Sequence, residues 1–263
     1  MGRRTTKKIN KRNSGKKPRL MLFLLFIVFI LTGILLIIKL WDNEVDSERK
    51  LLDEEVSAIM EAEKADITIE NDGGYILGPN YMEPTKGIII YSDTGVDPKA
   101  YVPLAIRLAK KGYRVVIPEF LFNSPTLDSK TVDDVINRYE SIRFWVVVGH
   151  GNGGKVMSNY LDVSDKIRGA VFLASYPDEK ADLSDTSLKV VSIYGSLDAE
   201  LNKSVYEKRK SLLPASTMFV QIENGNYSYF ANYENIEGAK ITREEQQIQT
   251  SVQIFNLLDQ IRS

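Results

Sequence analysis

The chain has 263 residues, 43% of them hydrophobic, enough for one sizeable core with accessory segments. Its net charge of −1 conceals an asymmetry: residues 1–40 carry ten Lys or Arg and no acid, leaving 24 basic against 35 acidic side chains in 41–263, a net of −11. So acidic a body lacks the basic face that nucleic acid requires, the absence of cysteine excludes disulfides and Cys-ligated zinc, and a single histidine, His150, excludes multi-histidine metal centres.

In chain order, a basic tail over 1–19 comes first, with nine Lys or Arg. Nineteen uncharged residues follow, from Leu20 to Ile38, between Arg19 and Lys39. At about 1.5 Å per residue they cover most of a ~30 Å hydrocarbon layer. The far flank reads Trp41, Asp42, Glu44, Asp46, and no small-residue cleavage site follows. The expectation is an uncleaved signal anchor over 20–40, with the N-terminus cytoplasmic and the C-terminal domain extracytoplasmic, because the basic flank stays inside. Residues 41–65 read as a stalk helix, with Leu51, Leu52, Val56, Ile59 and Met60 at helical spacing.

From residue 66 onward apolar runs alternate with amphipathic stretches. Strands are predicted at 66–70, 75–77, 87–91, 113–117, 144–148, 170–174, 190–194 and 218–222. Helices are predicted at 98–111, 132–142, 155–161, 203–213 and 242–261, the last with Ile248, Val252, Phe255, Leu258 and Ile261 on its buried side. Near-continuous apolar strands, each followed by a helix, imply a mostly parallel α/β sheet covered on both faces over 66–263. In such sheets the sites lie at the carboxyl ends of the strands, where the glycines and unusual polar residues collect here.

Four of those ends are distinctive: Ile88-Ile89-Ile90-Tyr91, Gly149-His150-Gly151-Asn152-Gly153-Gly154, Tyr194-Gly195-Ser196-Leu197-Asp198 and Glu223-Asn224-Gly225-Asn226-Tyr227. Together they resemble the α/β-hydrolase superfamily, most closely its small, cap-less bacterial members with a dienelactone-hydrolase-like core. The resemblance places the nucleophilic serine of the strand-to-helix elbow at Gly151, the triad acid at Asp198 and the triad histidine at Tyr227. Gly149, Gly153 and Gly154 keep the small residues of the elbow, and His150 stands where the family often has a packing histidine. The oxyanion loop, commonly Tyr-Pro-Gly-Gly, reads Tyr91-Ser92-Asp93-Thr94, and a carboxylate at Asp93 opposes a developing oxyanion. The resemblance therefore implies the fold without its hydrolysis, since Gly151 and Tyr227 supply neither nucleophile nor base at neutral pH.

The elbow also fits a dinucleotide fingerprint (Gly149-x-Gly151-x-x-Gly154) and nearly a P-loop ending in Lys155, but Val156 replaces the magnesium-binding hydroxyl and the nearest strand-end acid, Asp178, stands 29 residues after Gly149 instead of about 20. No cofactor, metal or nucleic-acid partner is expected, and oligomeric state is left open. The expected role is a binding or scaffold module at the cell envelope. Free amides at Gly151 and Asn152 suggest a small anionic or polar ligand, lined by Tyr91, Asn152 and Tyr227. The alternative is an active esterase with a relocated nucleophile, for which Ser92, Thr94 and Ser196 are the nearest candidates.

Overall fold

Residues 17–127, 130–234 and 238–261 are described by the structure, a computed structural model. The basic tail lies almost wholly outside them. The chain divides into two units, Met1–Ser47 and Glu48–Ser263.

The first unit is dominated by helix α1, Lys17–Glu48. Its apolar side chains are exposed all round, Phe29 at 74%, and the Thr32 hydroxyl is turned back onto the Val28 carbonyl at 3.0 Å. Among the described residues no helix is long and apolar enough to cross a membrane. The side chains of α1 are described for residues 21–36, a stretch short of the ~20 residues that a span takes.

In the second unit the expected stalk is divided. α1 ends at Glu48, residues 49–52 are non-helical with Leu51 in an isolated bridge, and α2 occupies Asp53–Glu63. The strands are β1 Ile67–Asn71, β2 Gly74–Pro79, β3 Lys86–Tyr91, β4 Arg114–Pro118, β5 Phe144–His150, β6 Ile167–Leu173, β7 Lys189–Gly195 and β8 Met218–Ile222. They form one sheet in the order β1-β2-β4-β3-β5-β6-β7-β8. β1 and β2 are antiparallel, and β4 through β8 all run parallel.

The central strands β3 and β5 are buried on both faces, so their side chains alternate between two cores. Ile88, Ile90, Val146 and Val148 face one core with helix α3 (Val102–Ala109) and helix α7 (Arg243–Gln260). Ile89, Trp145 and Val147 face the other, with helices α4 (Thr131–Arg138) and α5 (Asn152–Met157). Each such aliphatic side chain contributes roughly 1.5–3 kcal/mol on burial. A sixth helix, α6, spans Lys203–Arg209.

The predicted helices differ in detail. The one over 98–111 splits into a 3-10 turn at Pro98–Tyr101 and α3, because Pro103 lacks the N–H that would continue one ladder. α4 stops at Arg138, and the helical ladder of α5 covers six residues before passing into a 3-10 turn. In α7 the buried face carries Gln246, Gln247, Thr250, Ile254, Leu257 and Leu258, while Ile248 and Val252 are 42% and 44% exposed. Two glutamines set that rotation. Gln246 accepts the Asn226 N–H at 3.0 Å and donates to the Asn226 carbonyl at 2.8 Å, and Gln247 donates to the Asn232 side chain at 2.8 Å. These bonds satisfy the loop after β8, which apolar residues could not do.

Candidate active site

The carboxyl ends of β3 and β5 lie side by side, with Tyr91 opposite Gly149 in register. After His150 the chain reverses at Gly151, whose φ of 51° is left-handed, and enters α5 at Asn152. The neighbouring glycines are needed because backbone comes close. A Cβ at Gly149 would lie 2.4 Å from the Gly154 Cα, and one at Gly153 would lie 2.4 Å from the Ser92 carbonyl oxygen. At Gly151 the obstacle is different: its Cβ would meet the Tyr227 hydroxyl at 1.9 Å and the Asp93 Cγ at 2.5 Å.

Asp93 is the centre of the arrangement and is 1% exposed. Its Oδ1 accepts the backbone N–H groups of Asn152 and Thr94, each at 2.8 Å. Its Oδ2 accepts the Tyr227 hydroxyl and the Arg49 guanidinium. Arg49 also donates to the Thr94 carbonyl at 3.1 Å and to Glu200 at 2.7 Å, and its guanidinium stands 5.7 Å from the centre of the Tyr227 ring. A short strap delivers it. The Lys50 carbonyl accepts the Glu234 N–H at 2.7 Å, the Leu52 N–H donates to the Asn232 carbonyl at 3.1 Å, and Leu51 bridges Tyr233 between them.

Behind Asp93 lies a second polar chain. The Asp93 N–H donates to the Tyr101 hydroxyl at 2.9 Å, which lies 2.8 Å from His150 Nδ1. Burial lowers the His150 pKa to about 4, so the ring is neutral at pH 7 and we assign the Tyr101 proton to the bond with Nδ1. His150 is packed between Tyr227 and Phe230, with ring centres 4.5 and 5.5 Å away. Burial alone would raise the Asp93 pKa, but His150, Arg49, the Tyr227 hydroxyl and the Asn152 amide together hold it below the ordinary carboxylate value. With His150 neutral, Arg49 is the cation that matters at physiological pH. Burial and the adjacent carboxylate raise the Tyr227 pKa well above its usual value, so Tyr227 remains a proton donor.

Residues 87–250 match the family model described as the alpha/beta hydrolase family. The chain belongs to that family. Solved structures agree on the fold. A CIB-like hydrolase from Thermoplasma acidophilum aligns at TM-score 0.56 and 13% identity, over 72% of this chain and 99% of its own. A dienelactone hydrolase from Klebsiella pneumoniae aligns at 0.51 and 17%, over 72% and 92%. Thermogutta terrifontis esterase 2 aligns at 0.55 and 11%, over 73% and 95%. No curated protein sequence matches the chain.

In α/β-hydrolase terms, the oxyanion hole is formed by the N–H after the nucleophile and an N–H from the loop after β3. The resemblance puts Asn152 and Thr94 at those places, and the backbone N–H of each donates to Asp93. The expected anion site is thus already filled from within, and six-residue α5 adds little dipole to it. Asp198 Oδ1 accepts the amides of Glu200 at 3.0 Å and Leu201 at 2.8 Å, bracing its own loop. Tyr91 is buried against Phe120, ring centres 4.9 Å apart, and so packs beneath the site rather than lining an opening. Among the relocated-nucleophile candidates, Ser92 is buried with an unpartnered hydroxyl, Thr94 accepts the Asn152 side chain at 3.3 Å, and Ser196 accepts the Asn224 N–H at 2.8 Å. Among the described hydrogen bonds, none of the three reaches His150. Nor do the described residues place three or more His, Asp or Glu side chains where they could hold a metal ion.

Arg49, Tyr101 and Glu200 were not legible as site residues. Arg49 stands in a charge-rich run that reads as solvated helix, and its partner Asp93 is 44 positions away.

Proposed function

We propose that this α/β-hydrolase-fold domain is a non-hydrolytic binding module, tethered by α1 to the outer face of the cytoplasmic membrane. One observation carries the first part: the space above Gly151 is taken by the Tyr227 hydroxyl and the Asp93 carboxylate. A serine there would have no room, and Tyr227 is held as a donor instead of a base. Loss of a triad serine or histidine reduces turnover on the order of 10⁶-fold in a well-studied protease. The tether is supported by the uncharged run from Leu20 to Ile38, the charge asymmetry of its flanks, and apolar side chains on α1 that no partner covers among the described residues.

A fluorophosphonate probe applied to the purified full chain tests the absence of hydrolysis, since it labels any activated serine whatever the substrate. No labelling above a denatured control is the expected result. The second reading, an esterase with a relocated nucleophile, is favoured by the buried unpartnered hydroxyl of Ser92. Labelling that disappears in Ser92→Ala, Thr94→Ala or Ser196→Ala would establish it.

A further inference from the structure

We propose that the vacated active site is a guanidinium-binding pocket, filled in cis by Arg49 and accessible in trans to a ligand presenting the same group. This names the ligand class for the binding role above and rests on that reading. The pocket offers what a guanidinium needs. It has the buried Asp93 carboxylate, the Thr94 carbonyl at 3.1 Å and the Glu200 carboxylate at 2.7 Å for the planar fork, with the Tyr227 ring 5.7 Å away for the π face. A compact ammonium would not match the spread of acceptors.

The Asp93 carboxylate and the Thr94 carbonyl do not depend on Arg49 for their position, and neither does the backbone that carries Glu200. Asp93 is fixed by the Asn152 and Thr94 amides and by Tyr227, three donors from outside the strap. The Glu200 N–H is tied to Asp198. The pocket therefore persists when Arg49 leaves, and it then presents net negative charge toward the opening. The strap itself is held by two main-chain hydrogen bonds around Leu51, by Leu51 packed on the core and by the exposed Lys50–Glu234 ion pair at 3.4 Å. Exchange of Arg49 for an external guanidinium breaks those few contacts and leaves the sheet untouched. Arg49 is an intramolecular competitor with an effective concentration of roughly millimolar or above, so the wild-type chain binds a small ligand weakly.

The test uses the full chain in detergent micelles and methylguanidinium as probe, with tetramethylammonium at equal ionic strength as control. Arg49→Ala should bind methylguanidinium saturably, at least tenfold more tightly than wild type, and Arg49→Ala/Asp93→Asn should lose that gain. A folded Arg49→Ala chain that binds no better than wild type overturns the proposal. If Arg49→Ala does not fold, hydrogen exchange on the wild type decides. Sub-denaturing methylguanidinium should speed exchange at the Leu52 and Glu234 amides and leave the Val147 amide in β5 unchanged, and no difference from tetramethylammonium overturns the proposal. The two readings fail separately. Fluorophosphonate labelling removes the non-hydrolytic role, whereas absent methylguanidinium binding without labelling removes only the ligand class.

Discussion

The backbone N–H of Asn152 donates to Oδ1 of Asp93 at 2.8 Å, and that amide is one which an α/β-hydrolase turns toward the negative charge of its transition state. In this chain the carboxylate of Asp93 accepts that amide instead. Its charge is fixed, its donors are satisfied, and its second oxygen faces Tyr227 and Arg49. Residues 93, 151 and 227 form one arrangement: the space above Gly151, which carries no side chain, receives the tyrosine hydroxyl, which in turn holds the aspartate.

Restoring two family residues should therefore be insufficient. Gly151→Ser with Tyr227→His removes the 1.9 Å obstacle but leaves Asp93 Cγ 2.5 Å from the new Cβ and its carboxylate in the oxyanion hole. We expect this double variant to stay unlabelled by fluorophosphonate, and the triple variant with Asp93→Gly to label slowly. Labelling of the double variant would mean that Asp93 does not hold the site closed.

Arg49→Ala should destabilise the domain by about 3 kcal/mol, the lower end for breaking a buried pair, because Arg49 keeps 23% exposure. Asp93→Asn in the same chain should recover part of that loss, since the uncompensated charge is gone. Urea unfolding of the four chains gives the coupling directly. Additive losses would show that the two residues are not energetically paired.

Stability should fall in mild acid. His150 has its pKa lowered to about 4 by burial, against about 6.5 in the unfolded chain. Between those values the unfolded state binds the proton first, so this contribution is full above pH 6.5 and declines toward pH 4, by roughly 3 kcal/mol in all. Asp93, with a folded pKa below the ordinary carboxylate value, adds a further loss at lower pH, as its own folded value is approached. Urea midpoints at pH 7.5, 6 and 5 measure the first slope, and His150→Gln should flatten it. An unchanged slope would place the acid sensitivity elsewhere.

Much of the fold was legible because parallel strands buried on both faces write themselves as apolar runs: β8 begins and ends where the sequence places it, and β3 and β5 differ by a residue or two. The positions that the resemblance singles out, Gly151, Asp198 and Tyr227, follow the ends of β5, β7 and β8. What could not be read was the use made of them. The carboxylate at residue 93 reads as an opponent of an oxyanion, whereas folding makes it the occupant. Along α7 the predicted face holds at Leu258 and fails at Ile248 and Val252, because Gln246 and Gln247 turn inward to serve loop amides, a long-range demand that hydrophobic periodicity does not register.

The proposed tether is open to a direct test, because the chain contains no cysteine. A single cysteine introduced at exposed Ser216 should react with a membrane-impermeant maleimide on intact protoplasts, whereas one at Ser14, in the basic tail, should react only after lysis. The basic flank before Leu20 sets this direction, at a cost to inversion that grows with each Lys or Arg carried across. Deleting residues 20–38 should leave the remaining chain in the soluble fraction. Equal labelling of both positions before lysis would mean that the chain does not span the membrane. Labelling of Ser14→Cys alone would mean that it spans in the opposite sense, placing the Asp93 site in the cytoplasm.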